Sequence, residues 1–107
     1  MAFEVLEAAI GMVGALAPVE AKIRARRRSL AEQIGRASES VPLCIAEGRE
    51  RAGMDRRDLW LRAAGSAAEV SVALRIARAR GYVAAADAAP AEALLDRIRA
   101  MLWRLTR

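Results

Sequence analysis

The stretch LAEQIGRASESVPLCIAEG, residues 30–48, decides how this chain folds. Its apolar residues Leu30, Ile34, Ala37, Val41 and Cys44 recur at alternating spacings of four and three, the period of one helical face. Pro42 falls inside that stripe, where it removes one backbone hydrogen bond and crowds the carbonyl four residues back, Ser38. The apolar spacing nevertheless runs on through Val41, Cys44 and Ile45. The reading is therefore one continuous helix kinked at Pro42, with Gly48 as its left-handed C-terminal cap.

Working outward, Pro18 and Glu20 suit the first turn of this same helix, since the proline N–H would be unpaired there and the carboxylate complements the helix dipole. Ile23 continues the stripe upstream, and Arg27 interrupts it. Before Pro18, a short first helix is expected to bury Phe3, Leu6, Ile10, Val13 and Ala17. Beyond Gly48, the polar run to Gly53 leads to a third helix with Asp55 as N-cap and Asp58 three residues later. One stripe of it runs Leu59, Ala63, Ser66, Val70, Ala73 and Ala77, and a second runs Trp60, Ala64, Ala67 and Leu74. The small residues from Ala63 to Ala68, with Gly65 and Ser66 among them, permit close helix approach, and Gly81 closes the helix. After an alanine-rich connector ending at Pro90, the fourth helix carries Ala91, Leu94, Leu95, Ile98, Met101, Leu102 and Leu105 on one face.

No segment alternates apolar and polar residues as a half-buried strand does. The expected fold is all-α, an antiparallel up-down-up-down four-helix bundle forming one domain over residues 1–107. At about 1.5 Å per residue the second and third helices would be roughly 40 Å long and the outer two roughly 20–30 Å. That mismatch, and the second apolar face of the third helix, point to self-association.

Composition excludes much chemistry. The 107 residues include no histidine and a single cysteine, Cys44, so tetrahedral zinc sites, Cys-His pairs and Ser-His-Asp relays lack their parts. An intrachain disulfide is equally excluded, and a cytoplasmic location is expected. No cofactor, metal or catalytic residue is expected. Glu47, Glu50, Asp55 and Asp58 could gather a hard cation, but the neighbouring arginines compete for those carboxylates. The segment Met1 to Val19 has no basic leader region and carries Glu4 and Glu7, and it is too short and too charged to span a bilayer. No membrane partner is expected.

The chain has 18 basic and 13 acidic side chains, a net charge of +5. Seventeen of the basic residues are arginine, an excess that a GC-rich coding bias would also produce, so the argument rests on location. Net charge is −3 over residues 1–21, +5 over 22–36, −1 over 37–54, +3 over 55–80 and +1 over 81–107. Lys22, Arg24, Arg26, Arg27 and Arg28 are expected to open the second helix, and Arg75, Arg78 and Arg80 to close the third. In an antiparallel bundle these ends share one pole. Arginine forks pair two phosphate oxygens at once, so that pole is the candidate surface for RNA or DNA. With only Phe3, Trp60, Tyr82 and Trp103 as aromatics, stacking along a single strand is not expected. The arginines from Arg49 to Arg62 are interleaved with acids and read as a solvated, salt-bridged loop.

Several motifs carry a family resemblance: Gln33 to Ala37, Ser40 to Gly48 with Arg51, Ala63 to Val70, and Gly81-Tyr82. The chain resembles the four-helix bundle family that includes 23S rRNA intervening-sequence proteins and the accessory variability proteins of diversity-generating retroelements. Pro18-x-Glu20 and Met101-Leu102-x-x-Leu105 are similar to it as well. The resemblance implies a small basic bundle assembling into a homopentameric barrel without catalytic activity. For the retroelement members it implies binding to nucleic acid and to a reverse transcriptase. The chain departs from the family at Cys44, where asparagine is usual.

The motif residues also have a purely structural reading. Pro42 kinks the helix, Ile45 fills the core, Gly48 caps, Gly65 and Ser66 let helices approach, and Glu47 pairs with Arg36, Arg51 or Arg62. Two functions remain in view: a nucleic-acid-binding scaffold built on the arginine pole, and a protein–protein interaction module using exposed groups such as Trp60 and Trp103.

Overall fold

A computed structural model describes residues 3–107; Met1 and Ala2, at the start of the apolar N-terminal segment, lie outside it. Four helices follow in order: α1 (Glu4–Arg26), α2 (Arg28–Arg49), α3 (Gly53–Ala79) and α4 (Ala85–Leu105). Each packs against two neighbours around a ring, α1 on α2 and α4, α3 on α2 and α4, so α1 and α3 lie diagonally across the bundle. The molecule is 42 Å long and 23 by 19 Å across. Among the described residues no helix is long and apolar enough to cross a membrane.

The core follows most of the stripes of α2 and α4, with Leu30, Leu94 and Met101 half-buried and Leu105 exposed against expectation. Ile34, Ala37, Val41, Cys44 and Ile45 are buried from α2, and Ala91, Leu95, Ile98 and Leu102 from α4. As expected, α2 passes through Pro42 as one helix. Ser38, one turn earlier, is buried and donates its hydroxyl to the Gly35 carbonyl at 3.0 Å.

Several local expectations are corrected. Pro18 does not end the first helix, which continues to Arg26. The residue whose carbonyl Pro18 crowds is Gly14, and both positions are exposed, so the unpaired carbonyl reaches water while Leu16, Val19 and Ile23 are held by burial on the other side. The break comes instead at Arg27, one extended residue with φ −153° and ψ 96°. Lys22, Arg24 and Arg26 therefore close α1, and only Arg28 opens α2. Pro90 is likewise inside α4, which begins at Ala85.

The core face of α1 is Val5, Ala8, Ala9, Met12, Leu16, Val19 and Ile23. Leu6 and Val13 are only half-buried, Ala17 is exposed, and Ile10 is 53% exposed. α1 carries two apolar faces of the same period, and the one with Met12 and Leu16 wins the interior. The helices have 23, 22, 27 and 21 residues, so α3 reaches the expected roughly 40 Å whereas α2 is no longer than α1.

Gly48 is not a cap. It is a buried residue inside α2, and a Cβ there would lie 2.6 Å from two atoms of the Trp60 indole. Gly53, with φ +59°, takes the left-handed turn instead and starts α3, whose N-cap is Ala52, not Asp55. Trp60 is 7% exposed and belongs to the core with Ala67 and Leu74, so the second stripe expected on α3 is packed inside the bundle and does not supply an outward face. Gly65 faces solvent with nothing within 4 Å of its Cβ direction, whereas Ser66 does meet α2, its hydroxyl donating to that of Ser40 at 3.0 Å.

Gly81 ends α3 as expected. With φ +74° it lets the Tyr82 N–H reach the Ala77 carbonyl and its own N–H reach that of Arg78, the paired bonds of a Schellman turn.

Candidate nucleic-acid interface

The two basic helix ends meet. Lys22 of α1 pairs with Asp87 of α4 at 2.9 Å, and the Arg27 Nε–H donates to the Tyr82 hydroxyl at 3.4 Å. These contacts join the α1–α2 junction to the α3–α4 turn, so all eight basic residues stand toward one pole. The C-termini of α1 and α3 also end there, and their negative dipole ends favour nearby cations.

Three of the eight are spent on acids. Besides Lys22, Arg78 pairs with Glu92 at 3.5 Å and Arg28 with Glu32 at 3.7 Å. Pairs at this level of exposure contribute little to stability, so they trim the local field more than they hold the fold. Arg24, Arg26, Arg27, Arg75 and Arg80 make no ion pair among the described residues. The pole therefore carries five positive charges with no acidic partner among the described residues.

Tyr82 organises its centre, a role the sequence reading missed. The guanidinium of Arg26 lies 5.6 Å from the centre of its ring, while Arg27 donates to its hydroxyl. The hydrogen bond from Arg27 holds the Tyr82 hydroxyl below its ordinary value, helped by the charges of Arg27, Arg80 and Arg26. The available signal was the position of Tyr82 directly after Gly81, which the Schellman turn folds back over the helix end.

The opposite pole differs. Arg56 donates from Nε to the Gly48 carbonyl and from its terminal nitrogen to the Arg49 carbonyl, both at 3.1 Å, and so caps α2. Arg57 donates to the Thr106 carbonyl at 3.0 Å beyond the end of α4. Arg49 lies over Phe3 at 4.7 Å, and Arg51 pairs with Glu47 at 3.4 Å. Of the partners expected for Glu47, it is Arg51 that the structure shows. The arginines of this loop are thus structural groups as well as solvated charges. Among the described residues no three acidic or thiol side chains gather as a metal site would require, so Glu47, Glu50, Asp55 and Asp58 do not converge.

A stripe on α3 is also left uncovered. Leu61, Val72 and Ile76 are exposed large apolar residues, and with Gly65 they lie on one outward helical face. Trp103 of α4 is 59% exposed, with Arg107 stacked on its ring.

Fold and surface together define a small all-α bundle with basic residues gathered where α1 meets α2 and α3 meets α4, and with apolar side chains uncovered on α1 and α3. The sequence profile of the 23S rRNA-intervening sequence proteins matches residues 2–104, and the chain belongs to that family. Among solved structures, a protein of unknown function from the S23 ribosomal protein family of Bacteroides thetaiotaomicron superposes with a TM-score of 0.87. The two are 14% identical, and the alignment covers 96% of this chain and 98% of the other, a likeness of fold. No curated protein sequence matches the chain.

Proposed function

We propose that this protein is a non-catalytic, self-assembling scaffold that binds nucleic acid through its arginine pole. The observation that carries the reading is the contrast between the poles. At one end Arg56 and Arg57 are hydrogen-bonded to helix-end carbonyls, and at the other Arg24, Arg75 and Arg80 make no side-chain hydrogen bond or ion pair among the described residues. A surface so arranged attracts phosphate without sequence selectivity, and RNA is the first ligand to test. Anisotropy titration with a generic structured RNA at low salt should give micromolar or tighter binding that weakens steeply as salt rises. No binding at micromolar protein would sink it.

Self-assembly rests on Leu61 and Val72 of the outward α3 stripe, short of Ile76 at its basic end, and on the uncovered Ile10 side of α1. They lie on diagonally opposed helices and are unlike one another. Contact between unlike patches is head-to-tail and closes into a ring when the rotation permits, which fits the homopentamer that the family resemblance implies. A ring would repeat the basic pole on every copy and multiply its field.

In the retroelement accessory role, a reverse transcriptase partner would dock on the Trp103 flank, a reading supported only by the exposure of that ring. A reverse-transcriptase gene beside this one, with template and variable repeats, would support that role. A position inside an rRNA gene would replace it with the intervening-sequence role.

A further inference from the structure

We infer that the cleft between the first turn of α2 and the end of α3 receives a single unpaired nucleotide of a bound RNA strand. This rests on the proposed RNA binding at the same pole and adds to it a preference for strand over duplex. The cleft has a volume of about 270 Å³. That is just under the roughly 300–1,000 Å³ of ordinary small-ligand pockets, the scale of a single nucleotide.

Its lining is divided by chemistry. Arg27 and Arg80 stand on the rim, and neither makes an ion pair among the described residues. The Arg27 Nε–H is engaged by Tyr82, which leaves the two terminal nitrogens for phosphate oxygens. The wall is apolar: Leu30 is half-buried, and Ile76 is 45% exposed with nothing in the chain to cover it. A phosphate alone has no use for such a wall, whereas the flat face of a base does. Polar groups mark the edge. Gln33 donates its amide to Glu69 at 3.3 Å, so its carbonyl oxygen stays available to accept from a base amino group, beside the hydroxyl of Ser29.

Duplex RNA offers the arginines its phosphates but keeps its bases stacked and paired, so only an unpaired nucleotide fills the wall and edge. One nucleotide per copy also agrees with the scarcity of aromatic residues, because an aliphatic wall holds a single base without a stacking ladder. Acidic protein segments would satisfy the rim but leave wall and edge empty.

Tyr82 is the only tyrosine and touches the cleft, so its ring signals in a protein carrying isotope-labelled tyrosine report occupancy directly. AMP or UMP should shift them saturably at concentrations where inorganic phosphate and poly-glutamate do not. In anisotropy at low salt, an unstructured 12-nucleotide RNA should bind about fivefold tighter than a blunt duplex of equal length, a gain at the low end of base–aromatic stacking, as an aliphatic wall implies. Ile76→Asn should bring strand affinity down to the duplex level. Gln33→Leu, on α2 and outside the α3 stripe, should do the same, with light scattering unchanged from wild type. Equal strand and duplex affinity in the wild type, or Tyr82 shifts from phosphate or poly-glutamate equal to those from AMP, would overturn the cleft assignment while leaving the arginine pole standing. A wild type that binds neither RNA defeats the pole itself.

Discussion

The Trp60 indole N–H donates to the Ile45 carbonyl at 3.2 Å, across the α2–α3 interface. The ring that makes this bond covers Gly48, three residues further along α2, closely enough that a methyl there would sit 2.6 Å from it. The run Ile45-Ala46-Glu47-Gly48 is thus a docking surface for one tryptophan: a core side chain, an acceptor, and a bare position under the ring.

Gly48→Ala should lower the melting temperature, with a cost of about 1–3 kcal/mol from overpacking against a buried ring. Trp60→Phe keeps most of the apolar contact and gives up the hydrogen bond, so it should cost roughly 1 kcal/mol from that bond and somewhat more from lost ring area. Urea or thermal unfolding followed by circular dichroism measures both. An unchanged Gly48→Ala protein would show that α2 and α3 are not this close.

Arg56 and Arg24 should behave oppositely. Arg56→Ala removes two hydrogen bonds to the last carbonyls of α2 and should destabilise by roughly 1–2 kcal/mol, allowing for its partial exposure. Arg24→Ala removes no ion pair and should leave stability within about 0.5 kcal/mol. Equal losses would erase the distinction between a structural pole and a free one.

Glu20 predicts a pH dependence. Its partial burial raises the carboxyl above the ordinary 4.5, with Arg24 acting against the shift and Glu39 adding to it. A folded-state value above the unfolded one means that the folded protein holds this proton more tightly. The stabilisation is therefore complete below about 4.5 and is lost as pH rises through the folded value. Glu20→Gln should match wild-type stability in acid and exceed it at neutral pH. A variant less stable than wild type at pH 7 would contradict this.

The two uncovered apolar stripes predict assembly. Light scattering should report a mass several times that of the 11.6 kDa chain. Val72→Glu and Ile10→Glu should each dissociate it, because a head-to-tail contact fails when either half is spoiled. Val72 is 51% exposed, so its replacement should not disturb the fold. A monomer at tens of micromolar would remove the ring from the account.

Legibility in the sequence followed how many answers each local pattern allowed. α2 and α4 each present one dominant apolar face, and their cores could be read from spacing alone. α1 offers two, Leu6-Ile10-Val13-Ala17 and Val5-Met12-Leu16-Val19-Ile23, and only the arrangement of its neighbours selects between them. Pro18 and Pro90 carry a local preference for a break that tertiary packing overrides, since each breaks one backbone bond on an exposed side of a helix otherwise held by burial. Gly48 was ambiguous in kind, because glycine marks both caps and close contacts. At the candidate site, the gathering of basic residues followed from antiparallel topology and survived even though Lys22, Arg24 and Arg26 changed helix. What stayed hidden was pairing: Asp87 and Glu92 lie far along the chain from the charges they quench, and Tyr82 gains its place from a turn.

The central claim is tested most directly by substituting Arg24, Arg26 and Arg28 together with Glu and titrating a structured RNA at several salt concentrations. Wild-type protein should bind with an affinity that falls linearly on a log–log plot against salt, with a slope set by the number of phosphates engaged. The triple variant should lose most of that affinity and flatten the slope while unfolding at a similar temperature. RNA binding that survives the substitution unaltered would contradict the assignment of the pole.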